Sequence, residues 1–214
     1  MFLTFEIASI TTFILLLLAI PLGYFLAFTH SRIAPILEAI VSMPLVLPPS
    51  VLGFYLLIAF SPQSILGKFL LETFNLKLVF SFEGLIVGSV IFSLPFMVNP
   101  IQAGFVTLPK SLFEAALTLG KSRLSILYFV LLPNISRSVL VGVVVTFAHT
   151  IGEFGVVMMI GGNIQGQTRV ASIAIYDEVE SLNYVLAHQY ALTLFILTFS
   201  ILLLTFYLNK KNLK

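Results

Sequence analysis

The chain has 214 residues, of which 59% are hydrophobic and 9% are charged, and its mean hydropathy is +1.10. These values lie far outside the range of soluble domains, so they indicate an integral membrane protein. The chain contains no cysteine, which excludes disulfide bonds and cysteine-ligated metal sites. The net charge of +2 is small, so the position of the charges matters more than their sum.

Five apolar segments are long enough to cross a membrane, since a helical span needs about 20 residues. They are Ile7–Phe28, Ala39–Phe60, Gly84–Val106, Val139–Ile160 and Leu186–Leu208. The first has no basic region before it and no cleavage pattern, so we expect a span that is not removed as a signal peptide. The sequence therefore predicts an all-α, polytopic membrane helix bundle of about five transmembrane helices, with residues 1–214 forming a single domain.

Three prolines interrupt the second span, at Pro44, Pro48 and Pro49. Each proline removes a backbone donor and clashes with the preceding turn, so the helix is expected to bend or break. Broken backbone at membrane depth is tolerated where it is buried in protein or lines a water-filled cavity. Two interpretations stay open, a packing kink or a bent helix beside a translocation path that includes Pro48 and Pro49.

Two segments between the spans, both on the outer side in the orientation predicted below, contain apolar residues but are not predicted to span the membrane. In Ser61–Glu83 the apolar residues recur at near-helical spacing, which predicts a helix lying along the membrane surface. Residues 161–181 combine a glycine-rich stretch with an apolar run too short to span. This second segment either dips into the bundle or forms a lip for an external partner.

Between the third and fourth spans, residues 108–133 are predicted to form a helix, a break and a second helix, and we call them the connecting segment. Ser111 and Glu114 have the spacing of a capping box, so a helix is expected to start near Leu112. Gly120 is suited to ending that helix with positive φ. The sequence Gly120–Ser122 resembles the end of a phosphate-binding loop, but Ala115 replaces its first glycine and a capped helix precedes it. We therefore expect any ATP hydrolysis to belong to a partner chain.

The fourth span contains a polar group formed by Thr146, His149, Thr150 and Glu153. His149 and Glu153 are four residues apart, which predicts one shared helix face. An ionisable residue within a span is a functional hypothesis by default. We place the four residues in a translocation path or gate, or in a contact that holds the bundle together. A membrane metalloenzyme using His149 and Glu153 is disfavoured because the spans supply no further His/Asp cluster, so no bound metal is expected.

Lysine and arginine are distributed unequally between the two sides, and basic loops tend to stay in the cytoplasm. With the N-terminus outside, the inner side carries Arg32, Lys110, Lys121, Arg123, Arg137, Lys210, Lys211 and Lys214, and the outer side carries Lys68, Lys77 and Arg169. This asymmetry predicts a multi-pass protein with its N-terminus outside, its C-terminus inside and the connecting segment in the cytoplasm.

The connecting segment resembles the EAA motif of the membrane subunits of ABC importers. The matching positions are Glu114, Ala115, Ala116, Gly120, Leu132 and Pro133, and the departure is Val130, where isoleucine is usual. The resemblance implies the type I ABC importer fold, with these six residues in a cytoplasmic coupling helix and its flank that contact the ATPase. It also implies three partners: an ABC ATPase dimer that uses ATP and Mg²⁺, a solute-binding protein, and a second copy of this chain. It implies no cofactor on this chain and no nucleic acid partner.

Residues 44–57 and 152–169 look like the corresponding stretches of molybdate permease subunits, with Gln165 where that family often has proline. The resemblance implies import of an oxyanion, first of all molybdate, across the cytoplasmic membrane of a bacterium or archaeon. Sulfate, thiosulfate and tungstate remain alternatives, because related permeases share these elements.

Overall fold

The computed structural model describes residues 1–29 and 31–211 of the chain, and the side chains up to residue 207. Lys214, one of the basic residues counted above, lies outside the described residues. Every regular element in the described part of the chain is helical, which confirms the all-α prediction. Three helices are long and apolar enough to span a membrane, and the number rises to five if each of two bent helix pairs is one span.

The first half of the chain forms five helices. They are α1 (Phe2–Phe28), α2 (Ala34–Val46), α3 (Pro49–Phe60), α4 (Ile65–Phe74) and α5 (Phe82–Val106). Helices α1 and α5 are unbroken spans, whereas α2 and α3 meet at 114°. The break occurs at Leu47 and Pro48, where two consecutive prolines withhold the N–H groups that would continue the helix. Helix α4 confirms the helix predicted within Ser61–Glu83.

The second half is more fragmented. Its elements are α6 (Lys110–Thr118), α7 (Arg123–Ile126), a π-helical segment (Leu127–Leu131), α8 (Leu132–Asn134), α9 (Ser136–Gly152), α10 (Gly155–Gly161), α11 (Ala171–Glu180) and α12 (Tyr184–Lys211). The unit from Arg123 to Asn134 meets α9 at 76°. Helix α12 packs on α11 and α9 and leaves most of its length exposed.

The fourth span is not the continuous helix that Val139–Ile160 predicts. Helix α9 ends at Gly152, Glu153 is extended with φ −63° and ψ 133°, and α10 turns away to pack against α3 and α5. Glycine permits the close packing of α10 on α3, because a Cβ on Gly155 would lie 2.7 Å from the Cβ of Pro49. The predicted helical face shared by His149 and Glu153 is therefore wrong, since Glu153 lies beyond the end of the helix.

The predicted capping box at Ser111 and Glu114 is also wrong. Helix α6 begins at Lys110, and its N-terminal cap is Pro109, which provides no side-chain hydrogen bond. The Pro109 carbonyl accepts the first intrahelical bond, from the N–H of Leu112 at 3.1 Å. Proline has a fixed φ and no N–H to donate, so Pro109 is suited to the position before a helix. The helix therefore starts at Lys110, earlier than the Ser–Glu spacing predicts. Ser111 is consequently inside the first turn rather than at its cap.

The core lies where α1, α5 and α9 pack together, and it has two apolar clusters. One is near α6 and includes Leu15, Phe105 and Leu131. The other lies towards α10 and α11 and includes Leu85 and Ile160. Burying apolar side chains in this way fixes the three helices relative to one another, and α6 and α11 then lie at opposite ends of the bundle.

The segment at residues 161–181 packs into the core at one end of the bundle, where Val170 and Ile173 join the cluster around Leu85. Thr168 is fully buried, and Arg169 forms an ion pair with Asp177 at 3.0 Å that closes the glycine-rich stretch onto α11. The Ser172 hydroxyl donates to the backbone carbonyl of Glu153 at 2.5 Å. This segment therefore covers the end of α9 where the helix breaks.

Thr4 supports a first prediction, on stability. Its buried hydroxyl accepts a hydrogen bond from the backbone N–H of Ala171 at 2.9 Å, which joins α1 to the start of α11. Thr4→Val leaves that buried N–H without a partner, a loss of about 1–3 kcal/mol. Thr11→Val is the matched control, because the equally buried Thr11 hydroxyl has no partner in the described structure. Thermal unfolding of the purified chain in detergent is expected to shift to lower temperature for Thr4→Val alone, and equal shifts for both variants would contradict this account.

Candidate functional site

Helix α6 is anchored by one face and exposes the other. Ala116 is 6% exposed and packs into the apolar cluster around Phe105 and Leu131. Glu114, Ala115 and Gly120 are exposed at the surface. Alanine and glycine leave the backbone accessible, so a neighbouring protein can approach this face closely. One face of α6 is therefore held by the core, and the other face is open to contact with another protein.

The end of α6 has a specific backbone geometry. Gly120 adopts φ +73°, its N–H bonds to the Leu117 carbonyl at 2.9 Å, and the Lys121 N–H bonds to the Ala116 carbonyl at 3.2 Å. This pair of bonds is the Schellman motif, which closes a helix through a left-handed residue. The prediction that Gly120 ends the helix with positive φ is therefore confirmed.

Aromatic side chains join α6 to the transmembrane helices. The ring of Phe113 stacks on Phe28 at the end of α1, with 6.4 Å between ring centroids. Phe28 in turn contacts Tyr24 at 5.0 Å and Phe105 of α5 at 6.1 Å. A cavity of about 450 Å³ lies beside this group, lined also by Lys110 and Glu114. Packed aromatic rings thus connect α6 to α1 and α5.

The two remaining motif positions, Leu132 and Pro133, lie in the first turn of α8. Proline is suited to that position because its missing N–H has no partner there in any helix. The π-helical segment before α8 packs on both α6 and α8. The structure therefore brings the six motif residues into one unit, with Leu132 and Pro133 at the far end of it from Gly120.

A second site lies between the broken helices. A cavity of about 670 Å³, which we call the central cleft, is lined by Pro49, Ser50, Phe92, Ala148, His149, Gly152, Glu153, Phe154 and Gly155. It lies where the start of α3 faces the end of α9. Pro49, His149 and Glu153, which the sequence assigns to a path or gate, thus line one cavity. Pro48 immediately precedes them as the N-terminal cap of α3.

Thr146 and Thr150 lie behind the cleft rather than in its lining. Thr150 is buried and its hydroxyl donates to the Thr146 carbonyl at 2.9 Å. The Ser93 hydroxyl lies 3.1 Å from the Thr150 hydroxyl and 3.0 Å from Nδ1 of His149. The imidazole stacks on Phe96, with ring centroids 3.9 Å apart. A hydrogen-bonded chain therefore runs from α9 to α5 and back to His149.

Glu153 places its carboxyl group inside the protein. The residue is 4% exposed, and both carboxylate oxygens are sealed from solvent without a hydrogen-bond partner in the described structure. The Ser89 hydroxyl is the polar group beside this carboxyl group, and it is likewise sealed from solvent without meeting hydrogen-bond geometry. A buried ionised carboxylate without a partner is very unfavourable. In this conformation the carboxyl group is therefore not available to a solute in the cleft, and the backbone turn is the visible contribution of Glu153.

Sequence reasoning missed several residues of this site. Ser93 anchors His149, Phe96 stacks on it, and Ser50 lines the cleft beside Pro49. Ser93 is separated from His149 by 56 residues in the chain. The weak signal available was a serine followed by a proline within an otherwise apolar span.

The same chain is similar to known transport proteins. It is 42% identical over 201 residues to the molybdenum transport system permease protein ModB of Azotobacter vinelandii, covering 94% of this chain and 88% of that protein. It is 30% identical to the probable transport system permease protein NifC of Clostridium pasteurianum, covering 95% and 70%. It is 36% identical to the sulfate transport system permease protein CysT of Salmonella typhimurium, covering 79% and 60%. All three are named as permease proteins, not as enzymes.

The family profile described as binding-protein-dependent transport system inner membrane component matches residues 19–214. That match covers the connecting segment, the central cleft and the last part of α1. Members of such a system work with a binding protein and an ATPase, which agrees with the exposed face of α6. The chain belongs to this family of ABC importer permease subunits.

Proposed function

We propose that this chain imports molybdate as the transmembrane subunit of an ATP-driven importer. The observation that carries the proposal is its 42% identity over 94% of its length to a molybdenum transport system permease protein. The alternative substrate is sulfate, favoured by the 36% identity to a sulfate permease. Thiosulfate and tungstate are close chemical relatives of these anions and belong in the same test.

The proposed transporter is a homodimer. The central cleft is lined by residues of one chain, and large apolar side chains are exposed along the helices of that chain, among them Phe54, Tyr55 and Phe195. A second copy related by two-fold symmetry would complete the path, and two-fold dimers are the commonest oligomers. The path runs beside Pro48, Pro49 and His149, with Thr146, Thr150 and Glu153 supporting its wall.

The energy for import comes from the partner ATPase, which binds ATP and Mg²⁺. Shifting a two-state equilibrium from 1:99 to 99:1 needs about 5.5 kcal/mol of differential binding. In the proposed orientation the N-terminus is outside and α6 faces the cytoplasm, because most lysines and arginines lie on that side. Glu114, Ala115, Ala116 and Gly120 then dock on the ATPase, with Leu132 and Pro133 flanking them.

Reconstitution tests the function directly. The chain, its ATPase and its binding protein are assembled in liposomes, and uptake of radiolabelled molybdate is measured with and without ATP. Unlabelled tungstate, sulfate and thiosulfate are then added as competitors. ATP-dependent molybdate uptake that sulfate does not displace is the expected result. Uptake of sulfate in preference to molybdate would make the chain a sulfate permease, and uptake of neither would overturn the oxyanion assignment.

Phe113 provides a prediction about coupling. Phe113→Ala removes the ring that stacks on Phe28 but leaves Glu114, Ala115 and Gly120 in place. Aromatic pairs contribute about 0.5–1.5 kcal/mol beyond area burial, and truncating a partly buried phenylalanine adds a cavity. We expect the ATPase to co-purify with the variant while the molybdate transported per ATP falls several-fold. Phe2→Ala is the control, since it makes the same truncation at a side chain that is 83% exposed, at the opposite end of α1 from Phe28. Equal loss of ATPase binding and transport in Phe113→Ala would contradict a transmission role.

A further inference from the structure

The spanning segments lack fixed positive charge near their centres. Within α1, α5, α9 and α12 the lysines and arginines are confined to end turns, at Arg137 in the first turn of α9 and at Lys210 and Lys211 in the last turn of α12. His149 is the one side chain lining the central cleft in the described structure that can become a cation. In the central cleft, His149 is therefore the lining residue that can present a positive charge to a doubly charged oxyanion.

The hydrogen bonds around Ser93 determine which imidazole nitrogen carries the proton. The Thr150 hydroxyl donates its one hydrogen to the Thr146 carbonyl, so towards Ser93 it can only accept. Ser93 must then donate its own hydrogen to Thr150. With that hydrogen used, the Ser93 oxygen accepts from His149, and Nδ1 carries the N–H.

The other nitrogen, Nε2, is left for the cleft. It has no hydrogen-bond partner in the described part of the chain, and it is not among the polar atoms sealed from solvent. Stacking on Phe96 at 3.9 Å and the contact with Phe92 at 4.9 Å hold the plane of the ring. The ring is therefore fixed through Nδ1 and presents Nε2 to whatever occupies the cavity.

We propose that His149 is the oxyanion contact of the translocation path, presenting Nε2 to the passing anion while Ser93 and Thr150 hold the Nδ1 edge. This proposal rests on the oxyanion importer function proposed above. When a dianion enters the cleft, it favours uptake of one proton from solvent by Nε2, and the resulting Nε2–H donates a charge-assisted hydrogen bond to the anion. When the anion leaves, Nε2 returns that proton to solvent, so the path does not retain a permanent charge that would hold the next ion too tightly. The contact is thus strong only while the substrate is present.

The test uses the whole complex of chain, ATPase and binding protein, with radiolabelled molybdate as the probe. The complex is held with a non-hydrolysable ATP analogue and excess ligand is removed. The molybdate held by the same amount of binding protein alone is then subtracted from the molybdate retained by the complex, which leaves the amount on the permease. His149→Phe keeps an aromatic ring against Phe96 but removes both nitrogens, so retention is expected to fall about tenfold or more. His149→Gln keeps a neutral donor and is expected to lie between. His149→Arg restores charge and is expected to retain at least as much molybdate as the wild type.

The arginine variant separates contact from structure. Arginine at position 149 can neither stack on Phe96 nor bond Ser93 as well as histidine does, and phenylalanine at this position can only stack. A purely structural role for His149 therefore predicts that molybdate retention falls in both variants. Such a parallel fall, or full retention by His149→Phe, would overturn the proposal. Ser93→Ala is a second variant, which frees the ring and is expected to lower retention several-fold without removing Nε2. If the wild-type complex transports no oxyanion, the proposed function fails instead.

Discussion

Glu114→Lys and Gly120→Trp are each expected to abolish ATP-dependent uptake while the chain still reaches the membrane. Both positions are exposed on α6, so neither change disturbs the packed core. Lysine reverses the charge at the docking surface. Tryptophan at position 120 would have to adopt φ +73°, which is unfavourable for a residue with a side chain. No atom lies within 4 Å of an added Cβ, so the indole ring would project outwards and cover the docking surface. Residues at the centre of an interface lose about 2 kcal/mol or more when changed, which is about 30-fold in affinity.

Co-purification of the ATPase with the tagged chain measures this loss. Glu72→Lys is the matched control, since it makes the same charge change on exposed α4, at the opposite end of α5 from α6. The control is expected to bind the ATPase normally. Normal binding by Glu114→Lys and Gly120→Trp as well would remove α6 from the coupling role and leave its exposed face unexplained.

Hydropathy and proline placement were enough to predict the architecture. The apolar runs located α1, α5 and α12, and the consecutive prolines located the bend between α2 and α3. The motif spacing placed Gly120 at the end of a helix, as its positive φ confirms. These features are local, because each depends on residues within one or two turns of it. The family assignment followed from the same local pattern.

The features that could not be predicted depend on contacts between distant segments. The fourth run continues with apolar residues beyond Glu153, so hydropathy alone does not locate the end of its helix, although Gly152 and Gly155 are residues that can mark one. The end of the helix depends on Pro49 of α3, which packs so closely on Gly155 that no residue with a Cβ fits there without a clash. Likewise the hydrogen bond between Ser93 and His149 joins α5 to α9, so it cannot be predicted from the helical periodicity of either span alone. A local capping pattern also failed at Ser111, since Pro109 had already begun the helix.

Gly155→Ala is expected to disrupt the central cleft. The added Cβ would lie 2.7 Å from the Cβ of Pro49 and 3.1 Å from the backbone nitrogen of Ser50. Neither neighbour is the end of a flexible side chain, so α10 and α3 must separate. Overpacking of this kind costs about 1–3 kcal/mol. The same displacement moves the wall of the cleft opposite His149, and a misplaced wall is expected to reduce molybdate uptake about tenfold or more, the factor that 1.4 kcal/mol represents.

Gly152→Ala is the control for stability, because a Cβ there meets nothing within 4 Å. Thermal unfolding of the purified chain is expected to shift to lower temperature for Gly155→Ala and not for Gly152→Ala. The two glycines flank the same break, so a general need for flexibility at Glu153 predicts equal shifts, whereas close packing on Pro49 predicts a shift at Gly155 alone. A change at Pro49, the residue that faces Gly155, distinguishes the two explanations further. Pro49→Gly in the Gly155→Ala background removes the clashing Cβ, and partial recovery of uptake would assign the defect to that one contact.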